Sequence, residues 1–334
     1  MSKAEPRRRL RVLCESFPIR GTFRISRGAK TEARVVVAEI DDGGVVGRGE
    51  CVPYARYGES VEQVAADIAA LADAVAAGLD RAGLRTALPP GAARNALDCA
   101  LWDLEAKLTG VPLWQLADLE AAPGPLTTCF TLSIDRPEIM ADSARANCGT
   151  PLLKLKLAGD GLDLERVRAV RDNAPAARLV VDANEGWSQE DLRSLPARLA
   201  DLGVEMIEQP LPAGADDALL GLASPLPFGA DESAHGLDSL DGLRGKYRVV
   251  NIKLDKTGGL TEALAMKCAA EAAGLEVMVG CMVATSLAMA PAVYVAQGAR
   301  YVDLDGPLLL ARDRAPGLRF QGTTLYPPDP ALWG

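Results

Sequence analysis

Between residues 126 and 310 the chain repeats one texture, and this repetition narrows its possible folds more than any other feature. A short apolar run ends in a polar or charged residue, and a helical stretch such as DLERVRAVRDN or TEALAMKCAAEAAG leads to the next run. The candidate strand ends are Thr131, Lys156, Asp182, Glu208, Asp231, Lys253, Cys281 and Asp303. Successive ends are therefore 25, 26, 26, 23, 22, 28 and 22 residues apart. Each interval fits one strand–helix unit. Eight such strands make an α/β chain whose parallel strands close into a modified (β/α)7β TIM-type barrel. Leu179, Val180 and Val181 in LVVDANEGW form the continuous apolar run of a strand buried on both faces.

Residues 1–125 read as a separate α+β capping domain. RRLRVLCESF, ARVVVAEI and GVVGRGE suit an antiparallel meander, and DDGG at 41–44 suits a hairpin turn. A polar excursion, FPIRGTFRISRGAK, separates the first two strands and carries Arg20, Arg24 and Arg27; a second, ECVPYARYGES, spans 50–60. Helices are expected at about 60–77 and 91–109, the latter after Pro89-Pro90 and closed by Gly110. The barrel is placed at 126–310. The tail at 311–334 is expected to return to the capping domain.

Composition removes whole classes of function. A formal charge of −9 argues against nucleic acid or an anionic membrane as partner. The seven cysteines are odd in number and lack C-x-x-C spacing, so they read as small buried hydrophobes in a reducing compartment. The basic start, MSKAEPRRRLRVLCESF, has no apolar core or cleavage site, so no signal peptide is expected. Residues 277–299 carry no charge, but Gly280, Thr285, Ser286, Pro291 and Gln297 interrupt them. A barrel strand and a buried helix explain that run better than a membrane span. A cytoplasmic protein is expected, and association into a homo-oligomer stays open. The single histidine, His235, supports neither a three-histidine zinc site nor a serine triad, since no G-x-S-x-G occurs. It reads as a solvated loop residue. Any acid or base must then be a lysine or a carboxylate.

Asp182, Glu208 and Asp231 end three successive strands, so their carboxylates should converge at the C-terminal mouth of the barrel. Three hard oxygen donors without thiolate or imidazole call for Mg²⁺ or Mn²⁺. Three strand ends also carry charged residues two apart: Lys154 and Lys156, Lys253 and Asp255, Asp303 and Asp305. Strand alternation points both members of each pair into the barrel, where unused charge is costly. Lys156 and Lys253 flank the cation from strands 2 and 6. A substrate carboxylate on the metal then has its α-carbon between them. One lysine removes a proton from one face, the other returns it to the opposite face, and the metal stabilises the enolate. Lys154 and the cation are expected to keep Lys156 neutral as base, while Lys253 starts protonated. Activity should pass through a pH optimum.

KLKL, DANE, EQP, ADES, NIKLDKTGG and DLDGP, in this order, resemble the enolase superfamily, in its muconate-lactonizing subgroup with paired lysines. The resemblance covers essentially the whole chain. It implies Lys156 and Lys253 as the acid/base pair, Asp182, Glu208 and Asp231 as Mg²⁺ ligands, and Asn184 and Glu232 as neighbours of the metal. Asp255 is counted with them. Asp303 and Asp305 resemble the D-x-D of dipeptide epimerases, where two carboxylates receive a substrate's α-ammonium. YGES, GAARNALDCALWDL and NIKLDKTGGLTEAL are similar to stretches of epimerases acting on L-Ala-D/L-Glu in peptidoglycan recycling. That class implies a loop, here FRISRG, over the mouth, with Arg27 and then Arg24 as readers of a side-chain carboxylate. Tyr54 and Tyr57 either close that lid or pack within the capping domain. Lys154, Thr131, Cys281 and Met282 complete the expected substrate-lining set. The alternatives are N-acylamino-acid racemisation or cycloisomerisation on the same framework and, from another class, a Schiff-base lyase.

Overall fold

The computed structural model describes residues 8–334. Residues 1–7, the start of the stretch for which no signal peptide is expected, lie outside the described residues. The N-terminal sheet has three antiparallel strands, Arg8–Ile25, Gly28–Asp42 and Val45–Cys51, paired in sequence order. The expected turn is present. Gly43 and Gly44 take φ of 66° and 94°, which a two-residue hairpin turn matched to strand twist requires. One face of this sheet packs on the helix Ala92–Thr109. Gly47 and Gly49 permit that approach, because an added Cβ would lie 2.2 Å from the Ala100 carbonyl oxygen and 2.1 Å from that of Ala96. Helices Val61–Ala69, Ala72–Ala76 and Arg81–Ala87 complete this side.

The polar excursion between the first two strands is not a loop. Both strands continue through it, with an irregularity between Pro18 and Phe23, and make a two-stranded arm that turns at Ser26 and Arg27. Periodicity marks this arm only weakly: Phe17, Ile19, Phe23 and Ile25 alternate with exposed residues, but residues 20–22 interrupt the pattern and the returning residues 28–32 are all exposed.

The eight parallel strands follow one another around the barrel in chain order. They are Phe130–Leu132, Leu152–Lys156, Arg178–Asp182, Val204–Glu208, Phe228–Ala230, Val249–Ile252, Glu276–Gly280 and Tyr301–Asp303. Every expected strand end lies inside its strand or one residue beyond it. First and last strands meet where Cys129 N donates to the Val302 carbonyl at 2.8 Å and Leu304 N to Thr128 Oγ1 at 2.8 Å. Cys129, Leu152, Val180, Met206, Val249, Met278 and Tyr301 form a buried apolar plug. This closes the barrel below the charged layer, as expected of a packed barrel interior.

The helical connections are uneven. A 3₁₀ turn, Asp217–Leu219, replaces the helix after the fourth strand, and the helix after the fifth is reduced to Leu240–Leu243. Among the described residues no helix is long and apolar enough to cross a membrane. The uncharged run is the seventh strand followed by the buried helix Ser286–Val295. Leu126–Thr127, counted with the barrel from sequence, pairs instead with Thr324–Leu325 of the tail. The tail continues to the capping domain. There the fully buried Trp333 donates its indole N–H to the carbonyls of Arg48 at 2.9 Å and Cys99 at 3.1 Å.

Candidate active site

The third, fourth and fifth strands end at one place. Asp182, Glu208 and Asp231 are buried, and their nearest carboxylate oxygens all lie within 4.8 Å of one another. Burial alone would raise the Asp182 carboxyl, but the ammonium groups of Lys156 and Lys154 hold it down at about 2. Burial likewise opposes ionisation of Asp231, and Lys253 and Lys256 hold it well below the usual range. Glu208 is pushed up to about 7 by burial and by the Asp182 charge. Asn184 Oδ1, Glu208 Oε2 and Glu232 Oε2 are buried acceptors without a hydrogen-bond donor among the described residues. Lys154 Nζ does approach Glu208 Oε2 to 2.7 Å, as an ion pair without hydrogen-bond geometry. Converging carboxylates with orphaned oxygens beside them fit a hard divalent cation.

The two lysines flank this group as expected. Lys156 Nζ lies 2.5 Å from Asp182 Oδ2, and Lys253 Nζ lies 2.6 Å from Asp231 Oδ2. The Asp231 carboxylate holds the Lys253 ammonium well above its ordinary range against the effect of burial. Asn184 has φ of 45°, and this left-handed turn brings its N–H to within 2.9 Å of Asp182 Oδ1.

Lys154 does not take the place expected of it. It is 1% exposed, with Nζ 2.7 Å from Asp303 Oδ2, 2.7 Å from Glu208 Oε2 and 3.3 Å from Asp182 Oδ2. Three carboxylates surround its ammonium group, so it links two acid groups. Asp255 also departs from expectation. The sixth strand stops at Ile252, and the helix Leu254–Thr257 begins after Lys253, so alternation no longer applies. Asp255 Oδ1 instead accepts from Val52 N at 3.0 Å and Asn95 Nδ2 at 2.8 Å, fastening the capping domain to the barrel.

Asp303 and Asp305 are buried at the seam between the last and first strands. Asp303 Oδ1 accepts from Cys129 Sγ at 2.9 Å, and Lys154 holds its carboxyl below the usual range despite burial. Asp305 Oδ2 accepts from Thr131 N at 2.6 Å, so Thr131 contributes through its backbone. Burial and the Asp303 charge push Asp305 up to about 7. Half-buried Cys281 and buried Met282 follow the seventh strand. Burial and the two aspartates raise the Cys281 thiol well above its ordinary range.

The arm crosses the mouth. The Ile134 N–H donates to the Arg24 carbonyl at 3.1 Å, and Ser26 Oγ donates to the Asn184 carbonyl at 2.9 Å. Arg27 is committed to Glu232 Oε1 at 2.6 Å, the Asn184 carbonyl at 2.9 Å, Glu185 Oε2 at 3.1 Å and Tyr54 Oη at 3.1 Å. Arg24 is freer; its side chain is 49% exposed and lies 3.7 Å from Asp135. The rings of Tyr57 and the exposed His235 meet edge-to-face at 4.7 Å, so the second excursion touches the barrel.

Three groups are missing from the expected set. Lys256 Nζ, fully buried, donates to Asp231 Oδ1 at 2.7 Å and to the carbonyls of Asp231 and Asn251 at 2.6 and 2.9 Å. Asn251 Nδ2 donates to Glu208 Oε1 at 2.7 Å. Cys129 supports Asp303. Asn251 and Cys129 stand two positions before Lys253 and Thr131, so strand alternation could have found both. Lys256 lies beyond the strand, where alternation is silent.

Residues 7–117 match the model of the mandelate racemase / muconate lactonizing enzyme N-terminal domain, and residues 139–329 match the enolase C-terminal domain-like family. The chain belongs to the enolase superfamily, in this mandelate racemase / muconate lactonizing group. It is 48% identical to L-Ala-D/L-Glu epimerase from Escherichia coli over 321 residues, covering 96% of this chain and 99% of that one. It is 44% identical to N-acetyl-D-glutamate racemase from a Pseudoalteromonas species, covering 90% and 95% of the two chains. A crystal structure from Agrobacterium tumefaciens superposes with a TM-score of 0.96 at 53% identity, covering 98% of this chain and 100% of the other. That protein is described as an enolase family member with homology to dipeptide epimerases, with bound sodium, L-Ala-L-Glu and an ordered loop.

Proposed function

We propose that this chain is a Mg²⁺-dependent dipeptide epimerase that inverts the α-carbon of the C-terminal residue, with L-Ala-D/L-Glu as the substrate type. The observation that carries this reading is the pairing of two sites: a three-acid site flanked by two lysines, and a second acid pair at the last strand. Asp182, Glu208 and Asp231 would hold the cation, and the all-oxygen donor set favours Mg²⁺, with Mn²⁺ the nearest substitute. The bound cation supplies Lewis-acid stabilisation of charge developing on a substrate carboxylate. Lys156 takes the α-proton on one face and Lys253 returns one on the other, with the roles exchanged in the reverse direction. Asp303 and Asp305 receive the α-ammonium. Arg24 is the better placed reader of a glutamate side chain, because Arg27 is already engaged. A cytoplasmic enzyme handling dipeptides from the cell wall is the setting this reading implies.

The racemase similarity supports a second reading, turnover of N-acylated amino acids. Such substrates have no ammonium group for the acid pair. Screening free dipeptides and N-acetyl amino acids for deuterium uptake at the α-carbon in D₂O separates the two. Free L-Ala-L-Glu should exchange fastest. Equal or faster exchange of N-acetylglutamate would replace the dipeptide reading with the racemase one.

A further inference from the structure

Three residues beyond Asp182, the chain places a carboxylate that takes no part in the three-acid site. Asn184 and Glu185 have successive left-handed φ values of 45° and 67°, a conformation that non-glycine residues seldom adopt. Glu185 N is secured to the Gln209 carbonyl at 2.8 Å. The side chain is 8% exposed, and both of its oxygens are fully used. Oε1 accepts from Arg56 Nη2 at 2.7 Å and Ala213 N at 2.8 Å; Oε2 accepts from Arg56 Nε at 2.8 Å and Arg27 Nη1 at 3.1 Å. Arg27 is the tip of the arm, and Arg56 belongs to the second excursion. One carboxylate therefore ties two separate capping segments to each other and to the loop after the fourth strand. The Arg56 pair is side-on, with the carboxylate largely buried and the guanidinium 37% exposed, and two parallel bonds hold its geometry better than a single contact would.

The geometry points to Glu185 as a positioning residue that latches both lid segments over the mouth, with Arg56 and Arg27 as its catches. Among the described residues Glu185 is the carboxylate that Arg56 pairs with, whereas Arg27 has a second anchor in Glu232. Loss of Glu185 should therefore loosen the second excursion more than the arm, with the Tyr57–His235 and Val52–Asp255 contacts still in place. Arg27 then acts on closure and does not read the substrate side chain, so the latch should serve all substrates alike.

Hydrogen–deuterium exchange on the full chain with Mg²⁺ and no substrate tests this, and its outcome is independent of which substrate the enzyme turns over. In Glu185→Gln, exchange in residues 52–60 should rise about tenfold and in 18–32 about threefold. In Arg56→Met only residues 52–60 should loosen, and the double variant should exchange there no faster than either single one. For whichever substrate proves active, KM should rise about tenfold in Glu185→Gln with kcat within about threefold, whatever the substrate's side chain. Unchanged exchange in either segment of Glu185→Gln, or additive loosening in the double variant, overturns the latch. Should Glu185→Gln not fold, Arg56→Met decides alone: faster exchange in 52–60 supports the latch, and unchanged exchange there overturns it.

Discussion

Two groups of acids sit at the mouth of this barrel, and they differ in what already satisfies them. In the first, Asp182, Glu208 and Asp231 have lysines at their flanks and orphaned oxygens among and beside them. In the second, Asp303 and Asp305 are already served by a thiol, a buried ammonium and a backbone N–H. The same residue type thus does two kinds of work. Orphaned acceptors mark a place where a small hard cation completes the coordination. On the proposed reading, the partly satisfied acceptors hold fixed positions and receive a larger, hydrogen-bonding cation. Lys154 touches both groups and keeps them from repelling each other as one mass of negative charge.

The most severe way to break the first group is to remove a ligand. Glu208→Gln should lower Mg²⁺ affinity at least tenfold by calorimetry and kcat/KM by about 10²–10³-fold. Full Mg²⁺-dependent turnover in that variant would refute the ligand assignment. The lysines come next. Lys156→Ala and Lys253→Ala should each lose epimerisation by about 10²–10⁴-fold. Each should still exchange the α-proton of one stereoisomer, followed by NMR in D₂O. Epimerisation at the parent rate in either variant excludes the two-base scheme.

The second group should yield smaller losses that depend on the substrate. Removing one charged hydrogen-bond partner from a dry site costs about 2–4 kcal/mol, so Asp305→Asn should slow free dipeptides by about 30- to 1,000-fold. N-acetylated dipeptides should be poor substrates of the parent and little affected by the change. The pH dependence has a definite sign. Asp305, raised to about 7, is mostly protonated below that value and there offers an ammonium a hydrogen bond without the charge. For the parent, kcat/KM should fall as pH drops from 8 to 6, and Asp305→Asn should lack that limb. An unchanged limb in the variant would assign it to another group.

How far the sequence led can be traced residue by residue. The strand ends were legible because buried parallel strands are continuous apolar runs, each stopped by a polar residue at the mouth. Lys156, Lys253 and the three acids follow from that rule. The arm was poorly legible, since the alternation of Phe17, Ile19, Phe23 and Ile25 is interrupted at residues 20–22 and the returning residues 28–32 are exposed on both faces. Asp255 misled for the opposite reason. Its spacing from Lys253 imitates strand alternation, but the strand ends at Ile252 and a helical turn rotates the side chain toward the capping domain. Arg56 and Glu185 are 129 residues apart in sequence and meet only once both domains are folded. No local pattern announces such a pair.

Asp255 sharpens the comparison as a third setting for a buried acid, one in which both hydrogen-bond partners, Val52 N–H and the Asn95 amide, are neutral. Burial pushes its carboxyl up to about 7, from an ordinary value of 3.8. Without a cation in contact, ionisation in the folded protein is a pure cost. The sign follows from proton counting: between about pH 4 and 7 the folded chain holds this proton and the unfolded chain has lost it. The group's stabilising contribution is therefore complete below about pH 4 and is lost as pH rises through about 7. Asparagine can present the same Oδ1 to both donors and cannot ionise. Relative to the parent, Asp255→Asn should have nearly the same melting temperature below about pH 4 and be more stable by pH 5. Its advantage should grow toward pH 8, reaching a difference on the order of 2 kcal/mol. Thermal melts across that range decide the matter. A variant that is less stable at pH 8 than the parent would mean that the Asp255 charge is matched after all, as in the acid groups at the mouth.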